Sequence, residues 1–129
     1  MALLVTTPVQ MRFEDIDSFG HVNNIAQHSY FDLGKSDLFR QLWQMVGEAD
    51  SIPVMMVSVQ TDFLSQIRYG DRVEITTRIE SIGCKSLTLQ QQILRDGELC
   101  SRSRVVMVCY DKERGESVEV PASWRKVVE

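Results

Sequence analysis

The chain is short of several residue types, and each shortage excludes something. It has three cysteines, Cys84, Cys100 and Cys109, an odd number without metal-ligand spacing. They support neither a disulfide framework nor a zinc cluster, and read as reduced, structural thiols of a cytoplasmic protein. With two histidines, His21 and His28, little material exists for a catalytic metal centre, which needs three protein ligands and a water. No metal and no cofactor is expected. Basic residues are outnumbered, 14 Lys and Arg against 18 Asp and Glu, for a net charge of −4. A nucleic-acid partner, which wants a basic face, is therefore not expected. No run approaches the ~20 apolar residues of a membrane helix. The opening Met-Ala-Leu-Leu-Val-Thr-Thr-Pro lacks the basic start and the apolar length of a secretion signal. Neither membrane association nor export is expected.

What remains is 129 residues, 43% hydrophobic and 25% charged, the size and balance of one globular domain spanning 1–129. Residues 4–13 read as a first strand, with Pro8 marking an edge or a bulge. Loop 14–23 follows. From Asn24 to about Val46 the period becomes helical, with Phe31, Gly34, Leu38, Leu42 and Met45 recurring every three or four residues. Asn23 or Asn24 can cap this helix and Gly47 can stop it. A glycine at 34, on the apolar face, costs ~1 kcal/mol against alanine, which implies that another backbone approaches there. After turn signals at 50–53 the pattern is all strand. Residues 54–63 form one strand and 71–83 a second, in which Val73, Ile75, Thr77 and Ile79 alternate with charged and polar residues. Residues 86–95 and 98–110 flank Asp96-Gly97, a strong hairpin signal. Residues 111–117 read as a polar turn and 118–129 as a short tail. One long helix with an antiparallel sheet of about five strands makes an α+β chain, the helix covering one sheet face.

Most of the chemical information lies in residues 12–32, Arg-Phe-Glu-Asp-Ile-Asp-Ser-Phe-Gly-His-Val-Asn-Asn-Ile-Ala-Gln-His-Ser-Tyr-Phe-Asp. A strand runs into Asp17, then Gly20, then an Asn pair opening the helix. Backbone N–H groups at a helix start are unpaired and carry a partial positive charge. They can hold a carbonyl oxygen as it becomes negative, while a carboxylate beside them serves as base or nucleophile. Asp17 can equally cap its own turn with Ser18 and Gly20. Asp15 reads as a surface loop residue, although in an extended segment it would share a side with Asp17. His21 reads chiefly as a hydrogen-bonding residue that shapes the loop. His28 and Asp32 fall on one helix face but lack a third metal ligand, and an Asp32–Lys35 pair reads as a solvated contact.

Asp-x-x-Gly-His-Val-Asn-Asn before a long helix resembles the active-site segment of hotdog-fold acyl-CoA thioesterases, the 4-hydroxybenzoyl-CoA thioesterase-like family. Weaker likeness occurs at Ile67-Arg68-Tyr69-Gly70-Asp71 and at Val120-Pro121. The resemblance implies a hotdog fold, one central helix wrapped by a curved sheet, and hydrolysis of an acyl-CoA thioester, with coenzyme A as part of the substrate. It implies Asp17 as the catalytic carboxylate, with Gly20 and His21 beside it. The amides of residues 20–24 would form the oxyanion site, and Val22, Asn23, Asn24 and Asp32 would contact substrate. It also implies a homodimer or homotetramer with the coenzyme between subunits. Arg68, Arg72, Lys85, Arg102 and Arg104 are the candidate phosphate partners, and the sequence does not choose among them. The chain departs from the family where it has Asp32 for a common glutamate, Lys35 for arginine and Gln27 for tyrosine, changes that bear on substrate shape. An acyl-carrier-protein thioesterase and a non-catalytic acyl-binding subunit remain alternatives. A hotdog hydratase is disfavoured because no Asn-Pro follows His21.

Overall fold

The structure, a computed structural model, describes residues 3–128. Five strands, β1 (Leu4–Pro8), β2 (Val54–Phe63), β3 (Val73–Ile82), β4 (Ser86–Arg95) and β5 (Glu98–Asp111), form one antiparallel sheet in the order β1-β3-β4-β5-β2. A two-residue strand, β6 (Glu116–Ser117), pairs with the end of β5. The helix α1 (Asn24–Val46) lies along the concave face, against β1, β3 and β4. This is the hotdog arrangement.

The helix ends follow from local chemistry. Asn23 Oδ1 accepts from Ala26 N at 2.7 Å, and Gly47 leaves the helix with φ of 89°. The β4–β5 hairpin turns through Asp96 and Gly97, both at positive φ, as a two-residue turn that matches strand twist requires.

Several expectations need correction. The first strand stops at Pro8 rather than residue 13, and Phe13–Asp15 forms a 3-10 turn instead. Met45 is 59% exposed, because at the end of the helix Trp43 and Val46 rather than Met45 turn toward the core; Ala26, Gln27, Tyr30 and Phe39 are the further buried helix residues. The polar stretch 111–117 contains β6, and the tail contains a short helix, α2 (Ala122–Val128). That helix is held by Trp124, fully buried, whose Nε1 donates to Asp50 O at 2.9 Å. Residue 129 of the tail lies outside the described residues.

Gly34 is required, but by side chains rather than another backbone. A Cβ there would lie 2.6 Å from Thr77 Oγ1 and 2.8 Å from Ile75 Cγ2. The core divides at this level. Leu38, Phe39, Leu42, Leu89, Val105 and Trp124 pack in one cluster toward the C-terminal end of α1. Val22, Tyr30, Phe31, Ile67, Ile75 and Ile93 pack in another toward its start.

Asp15 is the largest departure. It is not a surface residue but 2% exposed. Its Oδ2 accepts from Tyr30 Oη at 2.6 Å and from Arg12 N at 3.0 Å, and its Oδ1 from Arg12 Nη2 at 3.0 Å. Its backbone carbonyl accepts from Asn23 N, the helix cap residue, at 2.9 Å. One residue thus ties the loop to both the start and the second turn of α1. Burial by itself would raise the Asp15 carboxyl, but hydrogen bonds from Tyr30 and Arg12 outweigh it and hold the group below the usual carboxylate range.

Gly34→Ala gains helix propensity of ~1 kcal/mol, but overpacking costs ~1–3 kcal/mol. Urea unfolding should therefore show a net loss of stability, and a gain would contradict the packing described. Tyr30→Phe should cost ~1–3 kcal/mol at neutral pH by stripping a donor from a buried carboxylate. Because the folded Asp15 carboxyl lies below its unfolded value of ~3.9, its stabilisation is present above that pH. It is lost as pH falls through the folded value, so the gap between wild type and Tyr30→Phe should narrow in acid.

Candidate active site

Loop 12–23 reaches the helix through a tight turn. Asp17 N donates to His21 O at 2.9 Å and Gly20 N to Asp17 O at 3.1 Å. Gly20 sits at φ +84°, a region glycine enters without steric cost. Asp17 Oδ1 accepts from Phe19 N at 2.9 Å and from His21 N at 3.3 Å, so the carboxylate does cap its own turn. Only one of its oxygens is used. Oδ2 accepts no hydrogen bond among the described residues.

The amides that follow are mostly engaged in the fold. Gly20 N and His21 N serve the turn, Val22 N donates to Ile67 O at 2.7 Å, and Asn23 N donates to Asp15 O. The expectation that all amides from 20 to 24 face a substrate therefore narrows to one. Asn24 N, at the first position of α1, has no acceptor among the described residues. It carries the partial positive charge of a 23-residue helix.

Asp17 and Asn24 open onto the same cavity, of about 380 Å³. Its near wall is Asp17, His21, Val22, Asn24 and Gln27; its far wall is residues 63–66, where β2 ends. That far wall is clasped from behind. Leu64 N and Ser65 N both donate to Cys100 O, at 2.8 and 3.0 Å, and Arg95 donates to Gln66 O and, at 3.3 Å, to Ser65 Oγ. Burial pushes the Cys100 thiol up, only partly offset by Arg95, so this cysteine stays protonated and is no nucleophile.

The other expected site residues are placed as follows. Gly20 and Asn23 shape the loop and cap the helix without lining the cavity. His21 joins the cavity, and its backbone also bridges to Arg68. Asp32 lies more than two turns along α1, exposed and paired with Lys35 Nζ at 2.9 Å, away from Asp17. His28 rests edge-on against Phe63, ring centroids 6.0 Å apart. Among the described residues no three His, Cys, Asp or Glu side chains group to hold a metal. Residues 63–66 carry no local signal of a site, because only the sheet order brings the end of β2 opposite Asp17. Gln27 was conspicuous solely as a departure from the family pattern.

A carboxylate oxygen without a partner, a free amide at a helix start and a cavity between them suit acyl transfer, where one group attacks or activates water and the other takes the oxyanion. Comparison with known proteins points the same way. Residues 11–128 match the family model described as the thioesterase-like superfamily. The chain is 33% identical to the YsmA protein of Bacillus subtilis over 85% of this chain and 75% of that one. It is 24% identical to the acyl-CoA thioester hydrolase YbgC of Escherichia coli, covering 90% and 89%. A Thermus thermophilus thioesterase solved with coenzyme A and Zn superposes with a TM-score of 0.81 at 25% identity, covering 96% of each chain. The chain therefore belongs to the thioesterase-like superfamily.

Proposed function

We propose that the protein hydrolyses an acyl-CoA thioester, with Asp17 Oδ2 as base or nucleophile and Asn24 N–H as the oxyanion donor. The observation that carries this reading is that these two unpartnered atoms belong to residues lining one cavity. Attack at the thioester carbonyl places negative charge on its oxygen. The N-terminal dipole of α1 and the Asn24 amide stabilise that charge without reorganisation, a contribution of ~3 kcal/mol for a well-placed donor. The thiolate then leaves, and its low basicity makes Lewis-acid assistance unnecessary, which favours a metal-independent reaction. Gly20 and His21 act through the turn that aims Asp17. A net charge of −4 argues against the broad basic docking face that an acidic carrier protein needs, whereas the phosphates of coenzyme A require only a few local cations. For the coenzyme's phosphates, Arg68 is the candidate nearest the site. It is exposed, bridged to His21 through its backbone, and in no ion pair among the described residues, whereas Arg102 and Arg104 are paired with Asp62 and Glu80. Three free thiols, two of them buried, suit a reducing cytoplasm.

The working unit in this reading is a homodimer or a dimer of dimers. β2 is a ten-residue edge strand that α1 does not cover. Met55, Met56, Val57, Val59, Phe63 and Leu64 stand exposed on or just beyond it. A long apolar edge is a template for pairing, and a second copy joined along β2 would bring its surface up to the far wall of the cavity.

Asp17→Asn keeps the Oδ1 acceptor and hence the turn, while removing the charge. Thiol release from a panel of acyl-CoA esters, run with a strong chelator present, should be retained by wild type and fall at least ~100-fold in kcat for the variant. A folded variant keeping more than half its turnover, or wild-type loss on chelation, would count against the mechanism. Sedimentation at micromolar concentration should show a dimer or tetramer, weakened at least ~10-fold by Val57→Lys on the edge strand; a stable wild-type monomer refutes the assembly.

A further inference from the structure

Gln27 lies one helical turn inside Asn24 and lines the same cavity, yet it is only 3% exposed. Both ends of its amide are engaged. Oε1 accepts from Ser101 Oγ at 2.5 Å, and Nε2 donates to Val22 O at 3.4 Å. Behind this pair the concave face of the sheet is crossed by a polar row. Thr77 on β3, Gln91 on β4, Ser103 on β5 and Thr61 on β2 are successive cross-strand partners. Gln91 Nε2 donates to Thr77 Oγ1 at 3.0 Å and to Phe31 O in α1 at 2.8 Å, and the Ser103 and Thr61 hydroxyls are 3.1 Å apart. Gly34 closes the row from the helix side with no room for a Cβ. The two apolar clusters lie on opposite sides of this row, so no continuous apolar path leads from the cavity along α1.

We propose that the Gln27–Ser101 pair, backed by this row, is an interior stop that restricts the substrate to short acyl chains. The inference rests on the thioester-hydrolysis reading and adds the substrate class. With the reacting carbonyl held at Asn24 N, a chain that runs inward along α1 meets Gln27, which lines the same cavity. Three residues of helix, about 4.5 Å, leave room for roughly three to four carbons before the amide. A longer apolar chain would part Gln27 from Ser101 and strand both polar groups in a dry interior. Beyond them it would meet only the polar row, whose hydroxyls and amides offer an alkyl chain nothing that offsets the broken hydrogen bond.

The test is kcat/KM across straight-chain CoA esters from acetyl to dodecanoyl. Wild type should be fastest at hexanoyl or shorter and at least ~10-fold slower at decanoyl, the scale on which a pocket discriminates added methylenes. Gln27→Ala should raise the decanoyl-to-butyryl ratio at least ~10-fold, and Ser101→Ala, which frees the amide without removing it, should raise it less. A wild-type optimum at decanoyl or beyond overturns the stop while leaving hydrolysis standing. A Gln27→Ala profile that superimposes on wild type does the same. If no CoA ester is cleaved, the hydrolysis reading itself falls. The wild-type profile decides the matter even if a variant does not fold.

Discussion

One helix cannot cover five strands, and most of this molecule follows from that shortfall. Against the order β1-β3-β4-β5-β2, α1 lies on β1, β3 and β4. It can approach that closely because Gly34 presents no side chain to Thr77 and Ile75. The outer strand β2 lies largely beyond the helix, while β5 still packs against it through Val105 and Ser101. At the start of α1 the uncovered strip becomes a cavity, walled on one side by the loop and on the other by the end of β2. Further along it becomes an exposed apolar edge. The candidate site and the surface expected to seek a partner are two consequences of the same geometry.

The loop feeding α1 solves a second problem, that of holding a carboxylate fixed without consuming it. Asp15 and Asp17 divide the labour. Asp15 is wholly structural, its carboxylate closed by Tyr30 and Arg12 and its carbonyl by Asn23. Asp17 commits a single oxygen to the turn. Turn-capping and chemistry are usually weighed as rival explanations for such a residue. Under the proposed hydrolysis they would use different atoms, and the hydrogen bonds that satisfy Oδ1 also fix where Oδ2 points. Preorganisation of this kind is what a reacting group needs.

Features set by local chemistry were legible from the residues. The ends of α1 follow from Asn23 and Gly47, the β4–β5 turn from Asp96-Gly97, and the burial of β3 from its period-two pattern. Features set by distant partners were not. Asp15 looks like any loop aspartate until Tyr30, fifteen positions on, is folded over it. The helix α2 has seven residues, too few for periodicity to speak, and exists because Trp124 finds a pocket and Asp50 O a donor. Met45 fits the apolar stripe but faces outward, while its neighbours Trp43 and Val46 pack on the core. At the site, Asp17 and Asn24 could be read from their spacing to Gly20 and the helix start. Which amide stayed free, and that residues 63–66 would face it, depended on the strand order.

The polar row also bears on how the two halves of the core relate. Gln91 is a poor core residue by composition, yet its amide bonds the backbone of α1 at Phe31 O and the Thr77 hydroxyl on the neighbouring strand. It therefore fixes the helix in register with the sheet at the level where Gly34 lets them touch. An apolar residue there would fill space but would not specify that register, since dispersion contacts are non-directional. Above the row, the cluster around Val22, Tyr30 and Ile67 supports the loop and the start of α1. Below it, the cluster around Leu38, Leu42 and Trp124 anchors the far end. Separating them by hydrogen-bonded side chains keeps the site's walls from merging into the main core. It keeps the start of α1 and its cavity separate from the far cluster, which supplies apolar burial at a distance from the candidate site.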